Sequence, residues 1–75
     1  MVAYGNLGGS SGVTSYQIGE GSIQVEFKDS ALYLYTNQSA GHFNIEHMKA
    51  LAIAGRGLNT FINISVKHLY AAKLR

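Results

Sequence analysis

The sequence predicts an α+β domain in which a three-stranded antiparallel β-meander packs against one helix and a C-terminal segment. Three observations carry this. The run SIQVEFK alternates apolar and polar residues, the runs VTSYQI and ALYLYT flank it across short polar turns, and FNIEHMKALAIAG repeats its apolar residues at helical spacing before a glycine.

Residues 1–12 contain Gly5, Gly8, Gly9 and Gly12 with two serines, a composition expected to form a flexible leader ahead of a single domain at 13–75. The first strand begins at Val13. In the second, Ile23, Val25 and Phe27 alternate with Gln24, Glu26 and Lys28, so one face is apolar and the other wet. Gly19, Glu20 and Gly21 provide the first turn, and Asp29 with Ser30 provides the chemistry of the second. With that turn, Leu32 and Leu34 are expected to join Ile23, Val25 and Phe27 on the core face. Tyr33 and Tyr35 then lie on the opposite face.

The helix is expected over Asn44–Ala54. Asn44 is a good N-cap, Glu46 sits in the first turn where the helix dipole favours an anion, and Phe43 is placed to staple onto Met48. Ile45, Met48, Leu51 and Ala52 form the inward stripe, Glu46, His47 and Lys49 point outward, and Gly55 ends the helix. Two readings stay open for the tail. Asn59 can cap a second helix whose face is Ile62, Ser65, Val66 and Leu69, or Ile62, Ile64 and Val66 can alternate as a fourth strand; the AAKLR ending and the lack of Gly and Pro after Gly57 favour the helix.

At 75 residues the chain is one domain at most, near the size at which a single core is marginal, so self-association into a homo-oligomer is expected. It has no Cys and therefore neither disulfides nor thiolate chemistry, which fits a cytoplasmic setting. No stretch approaches the roughly 20 apolar residues of a membrane span, and no membrane partner is expected. Charge is unevenly distributed. Residues 1–46 hold all four acids against Lys28 alone, a formal −3, whereas residues 47–75 hold Lys49, Arg56, Lys67, Lys73 and Arg75 with no acid, a formal +5. That asymmetry points to an anionic partner for the C-terminal part; the alternative is five solvated cations that keep a small domain soluble.

In this order of elements, SSGVTSYQIGEGSIQVEF, ALYLYT and MKALAIAGRGLNTFI, the chain resembles the KTSC domain family, named from the C-terminal region of some lysyl-tRNA synthetases. The likeness covers residues Ser10 to Tyr70. It implies the α+β fold with a helix, a glycine stop and an Asn-led segment, implies no enzymatic activity, and suggests RNA. Typical members have Val-Pro before the helix and Ser-Lys before the glycine, where this chain has Ala40-Gly41-His42 and Ile53-Ala54.

The residues themselves also point to binding rather than catalysis. The stretch AGRGLNTFIN invites a phosphate cradle, with Arg56 between two glycines, but it lacks the Gly-Lys-Ser/Thr ending of a P-loop and the spacing of a dinucleotide fingerprint. Gly55 as a helix stop and Asn59 as the next cap account for the same letters. His42 and His47 are five apart, no HExxH pattern is present, and Ser10, Ser11 and Ser15 have no evident base, so neither metal, cofactor nor catalytic residue is expected. The first functional reading is a weak electrostatic contact with nucleic acid, RNA preferred, made by Lys49, Arg56, Lys67, Lys73 and Arg75, with Tyr33 and Tyr35 as a stacking platform. The second is a protein-interaction or self-assembly module using the open sheet edge and the tyrosine face. For the tyrosines, burial under the C-terminal segment or another subunit is the competing account.

Overall fold

The computed structural model describes residues 1–9 and 11–75. It is α+β: β1 (Val2–Ala3), β2 (Val13–Gly19), β3 (Ser22–Phe27), β4 (Leu32–Thr36), α1 (Asn37–Ala40), α2 (His42–Ala54), α3 (Leu58–Phe61), a π-helical turn (Ile62–Val66) and β5 (Ala72–Lys73). All strands lie in one antiparallel sheet in the order β1-β2-β3-β4-β5. The expected meander is its middle. Two further strands, each of two residues, close its sides, so the sheet has five strands rather than three.

Register decides which face is the core. Val25 pairs with Tyr33 and Ile23 with Tyr35, and directly opposed residues share a face. The tyrosines of β4 therefore stand with Ile23 and Val25 on the helix-covered side, while Leu32 and Leu34 stand with Gln24 and Glu26 on the other. This reverses the side expected for each. The cause is loop length. Phe27 N–H donates to the Ala31 carbonyl at 2.9 Å and Ser30 N–H to the Phe27 carbonyl at 2.9 Å, so Lys28, Asp29 and Ser30 form a three-residue loop in which Ser30 takes φ 70. A two-residue Asp29-Ser30 turn would have paired Lys28 with Ala31 and shifted every following residue by one, which is a change of face.

In β2 a bulge at Thr14 lets both Val13 and Tyr16 face inward, since Val13 pairs with Phe27 and Ser15 already with Glu26. Over this face lies α2, which buries Ile45, Met48 and Ala52 against Ile23, Val25 and Tyr35; Leu58, Ile62 and Val66 complete the core. The helix starts two residues before Asn44, after Gly41, and Asn44 instead donates from Nδ2 to the Ala40 carbonyl at 2.7 Å. Thr36 and Ser39 form a capping box on the short α1 that precedes it. Phe43 does not staple; it is almost fully exposed. After Val66 the chain turns, and Ala71 N–H donates to the Leu34 carbonyl at 2.7 Å as it enters β5. The tail thus forms the second helix expected there, with Ile62 and Val66 buried, and no strand at Ile62–Val66. It is a helical stretch capped at Gly57 rather than Asn59, and then a strand drawn from AAKLR.

The segment expected to be a flexible leader is docked. Its β1 lines the edge of β2, Tyr4 is buried, and Leu7 N–H donates to the Gly55 carbonyl at 2.7 Å; Ser10 lies outside the described residues. Gly5 and Gly55 meet backbone to backbone. A Cβ on Gly55, which ends α2 at φ 76, would come within 3.3 Å of the Gly5 Cα. Gly55→Ala combines left-handed strain with that contact and is expected to cost about 1–2 kcal/mol or more. Thermal unfolding followed by circular dichroism should show it as a melting temperature lower by about 4–8 °C per kcal/mol.

Candidate functional site

A groove of about 520 Å³ lies between the β3–β4 hairpin and the stretch from Asn63 to Tyr70. Phe27, Lys28, Asp29, Ala31, Tyr33 and Tyr35 come from the hairpin, and Asn63, Lys67, His68 and Tyr70 from the opposite wall. The hairpin's register builds one side by turning Phe27, Tyr33 and Tyr35 to a common face. The other side follows from the π-helical turn, whose wider winding alters the phase of the residues that follow it. Val66 is buried as an anchor, while Lys67, His68 and Tyr70 stay exposed beside the groove.

The aromatic rings touch one another. Tyr33 lies edge-on to Phe27 at 5.7 Å and tilted against Tyr70 at 4.9 Å, and Tyr35 lies edge-on to Tyr70 at 6.5 Å. Lys73, the cross-strand partner of Tyr33, holds its ammonium 5.8 Å from the centre of that ring. Tyr35, 1% exposed, forms the floor. Burial first, and then the neighbouring phenols of Tyr33 and Tyr70, push its pKa up to about 12, so it is a neutral hydroxyl at physiological pH. Asp29 is the acid of the rim, and its Oδ1 accepts from Ala31 N–H at 3.0 Å. Lys28 and Lys67 of the lining outnumber it.

Of the residues singled out from the sequence, the fold brings together Tyr33, Tyr35, Lys67 and Lys73. It separates the other three. Lys49 is drawn to Glu46 on α2 at 3.3 Å. Arg75 pairs with Glu26 on the far face of the sheet and donates from Nε to the Ser30 carbonyl at 3.3 Å. Arg56 stands in the turn between α2 and α3, beside a smaller hollow of about 120 Å³ lined also by Tyr4, Asn6 and Asn59. There the N–H of Leu58 at the start of α3 donates to the Tyr4 hydroxyl at 3.2 Å, so the glycine turn is occupied by the docked N-terminal segment. The groove residues missed from sequence are Phe27, Lys28, His68 and Tyr70. Lys28 and Phe27 were legible only given the three-residue loop, and Tyr70 and His68 only given the return of the chain toward β4.

Among the described residues no group of three or more His, Asp or Glu side chains could hold a metal ion, and no helix is long and apolar enough to cross a membrane. Compared with protein-family models, with curated proteins and with solved structures, the chain matches none.

Proposed function

We propose that the chain is a small non-catalytic binding domain for single-stranded nucleic acid, RNA in first place, and that the groove between Tyr33 and Tyr70 is where it binds. The observation that carries this reading is the meeting of a tyrosine cluster with Lys28 and Lys67 in one concavity, with the Lys73 ammonium beside the Tyr33 ring. Unstacked bases lie on aromatic faces and their phosphates seek ammonium groups, whereas a duplex keeps its base faces covered. Tyr70 supplies the exposed stacking ring. Tyr33 is the second ring, and Tyr35 offers a hydroxyl from below. Lys49 and Arg75, each with a carboxylate partner of its own, lie outside this proposed site, as does Arg56. The KTSC resemblance belongs to the same proposal, as does a cytoplasmic setting; SIQVEF and ALYLYT, two of the words that carry it, build the hairpin side of the groove.

Titration of labelled single-stranded RNA across a salt series tests it. Neutralising three phosphates predicts a log–log slope of about −2 for a single strand. Tyr70→Ala should weaken binding by about tenfold or more, since a stacked base is worth about 1–3 kcal/mol. Lys67→Glu should weaken it and make the slope shallower, and Arg56→Glu should change affinity far less. Failure to bind RNA at low salt, or equal affinities for Lys67→Glu and the parent chain, would remove the proposal.

A further inference from the structure

The docked N-terminal segment and the turn between α2 and α3 enclose the second hollow, of about 120 Å³, whose lining includes Tyr4, Asn6, Ser11, Arg56, Asn59 and Thr60. No acid lines it, and Arg56 has no carboxylate partner among the described residues. The hydrogen bonds around it occupy acceptors and leave donors. Asn6 Oδ1 accepts from Ser11 N–H at 3.0 Å, which leaves the two N–H groups of its amide. Ser11 Oγ accepts from Val13 N–H at 3.0 Å and keeps its own proton. The Tyr4 hydroxyl accepts from Leu58 N–H at 3.2 Å; Tyr4 is only 7% exposed, yet its phenolic proton has no acceptor among the described residues.

We propose that this hollow binds a single phosphate group. A buried hydroxyl lacking an acceptor, a guanidinium without a counter-ion and the donors left on Asn6 and Ser11 suit an anion, and they offer a metal cation no carboxylate. Asn59 and Thr60 add an amide and a hydroxyl from the start of α3. At roughly 30 Å³ per water molecule the space holds about four waters, enough for one tetrahedral oxyanion and too little for a nucleobase with its sugar. The side chains make this site rather than a helix end, since α3 has four residues and its first N–H is already taken by Tyr4.

The site joins two stretches that are far apart in the chain. Tyr4, Asn6 and Ser11 come from the docked segment, and Arg56 comes from a turn whose flanking Gly55 and Gly57 take φ 76 and φ 81, so that the chain reverses around it. A phosphate held between them fastens the N-terminal segment to the helical layer. Its source is either the free anion or the monoester end of a larger molecule whose remainder stays in solvent; the recognising chemistry is the same. The hollow shares no lining residue with the tyrosine groove, and the inference stands apart from nucleic-acid binding.

Titration of the full chain with inorganic phosphate, against sodium chloride of matched ionic strength, tests it in proton–nitrogen spectra. The side-chain amides of Asn6 and Asn59 and the backbone amide of Gly57 should move and saturate with phosphate, and should stay in place with chloride. Hydrogen exchange at Leu7 N–H, which holds the segment to Gly55, should slow at saturation. Arg56→Gln, at an exposed position where circular dichroism would verify the fold, should weaken binding by about tenfold or more. Arg56→Lys keeps the charge without the forked donors and should fall between the two. Glycerol phosphate separates the sources: saturation by it as well as by phosphate assigns a monoester end, and saturation by phosphate alone assigns the free anion. Phosphate shifts confined to Lys28 and Lys67 of the groove, shifts that never saturate, or equal affinities for folded Arg56→Gln and the parent overturn the site.

Discussion

Tyr35→Ala is expected to remove most of the stability of the domain, about 3–5 kcal/mol by the measure of buried aromatic truncations. The ring is 1% exposed and sits where Ile23 across the strand, Tyr33 beside it and Tyr70 from the far wall converge. In a chain of 75 residues, whose core supplies only a few kcal/mol net, such a loss should leave a broad or absent thermal transition. Tyr35→Phe keeps the ring and should melt within about 1–2 kcal/mol of the parent, the scale of one hydroxyl's hydrogen bonding.

The same pair separates packing from ionisation. The Tyr35 phenol ionises at about 12 when folded against 10.0 when exposed, so the folded state holds its proton more tightly than the unfolded state. The contribution is fully present below pH 10 and is lost as pH rises toward 12, about 2–3 kcal/mol in all. Urea unfolding at increasing alkaline pH should therefore show stability falling faster in the parent than in Tyr35→Phe. Equal pH dependence would mean that another phenol carries it.

The second large effect concerns a small residue outside the core cluster, Ala31. Deleting Ala31 should abolish cooperative folding, whereas Ala31→Gly should cost only about 0.5–1 kcal/mol. Its side chain is a single methyl group, but its carbonyl accepts from Phe27 N–H and so closes the β3–β4 loop. Without it a three-residue loop closes on Leu32, so the hairpin must either open that loop wider or slip by one. Slipping turns Tyr33 and Tyr35 outward and presents Leu32 and Leu34 to a core shaped for aromatic rings, with α2 unable to seat on them. Amide dispersion in a proton–nitrogen spectrum would report the outcome; a native-like spectrum for the deletion would show that the ladder absorbs the loss by a bulge.

That one loop also explains what could be read from the chain beforehand. Apolar alternation located the three long strands, and helical spacing with Gly55 located the inward stripe and end of α2, because these signals reside in contiguous residues. Which face β4 shows does not reside there. It depends on whether Asp29-Ser30 or Lys28-Asp29-Ser30 makes the turn, and both fit polar turn chemistry. The two-residue strands β1 and β5 have no periodicity to detect, being held by backbone bonds to β2 and β4. For the site, Lys67, Lys73 and the tyrosines of β4 were legible as a basic tail and an aromatic strand. The pairing of Arg75 with Glu26, 49 residues away, was not, whereas that of Lys49 with Glu46 follows a helical i, i+3 spacing already present in the sequence.

The short β5 guards what lies beside it. LYLYT carries no charge and no proline or glycine, and consists of residues that favour extended structure. Its outer backbone is covered by Ala72 and Lys73 and by Leu74, whose N–H donates to the Leu32 carbonyl at 2.7 Å, with Arg75 clamped to Glu26 beyond them. A chain trimmed of these four residues would present β4 as a bare, flat, uncharged template, open to strands from other molecules. Proteolysis at this end would thus turn a folded domain into a seed for aggregation, with the positive charge of Lys73 and Arg75 lost in the same cut.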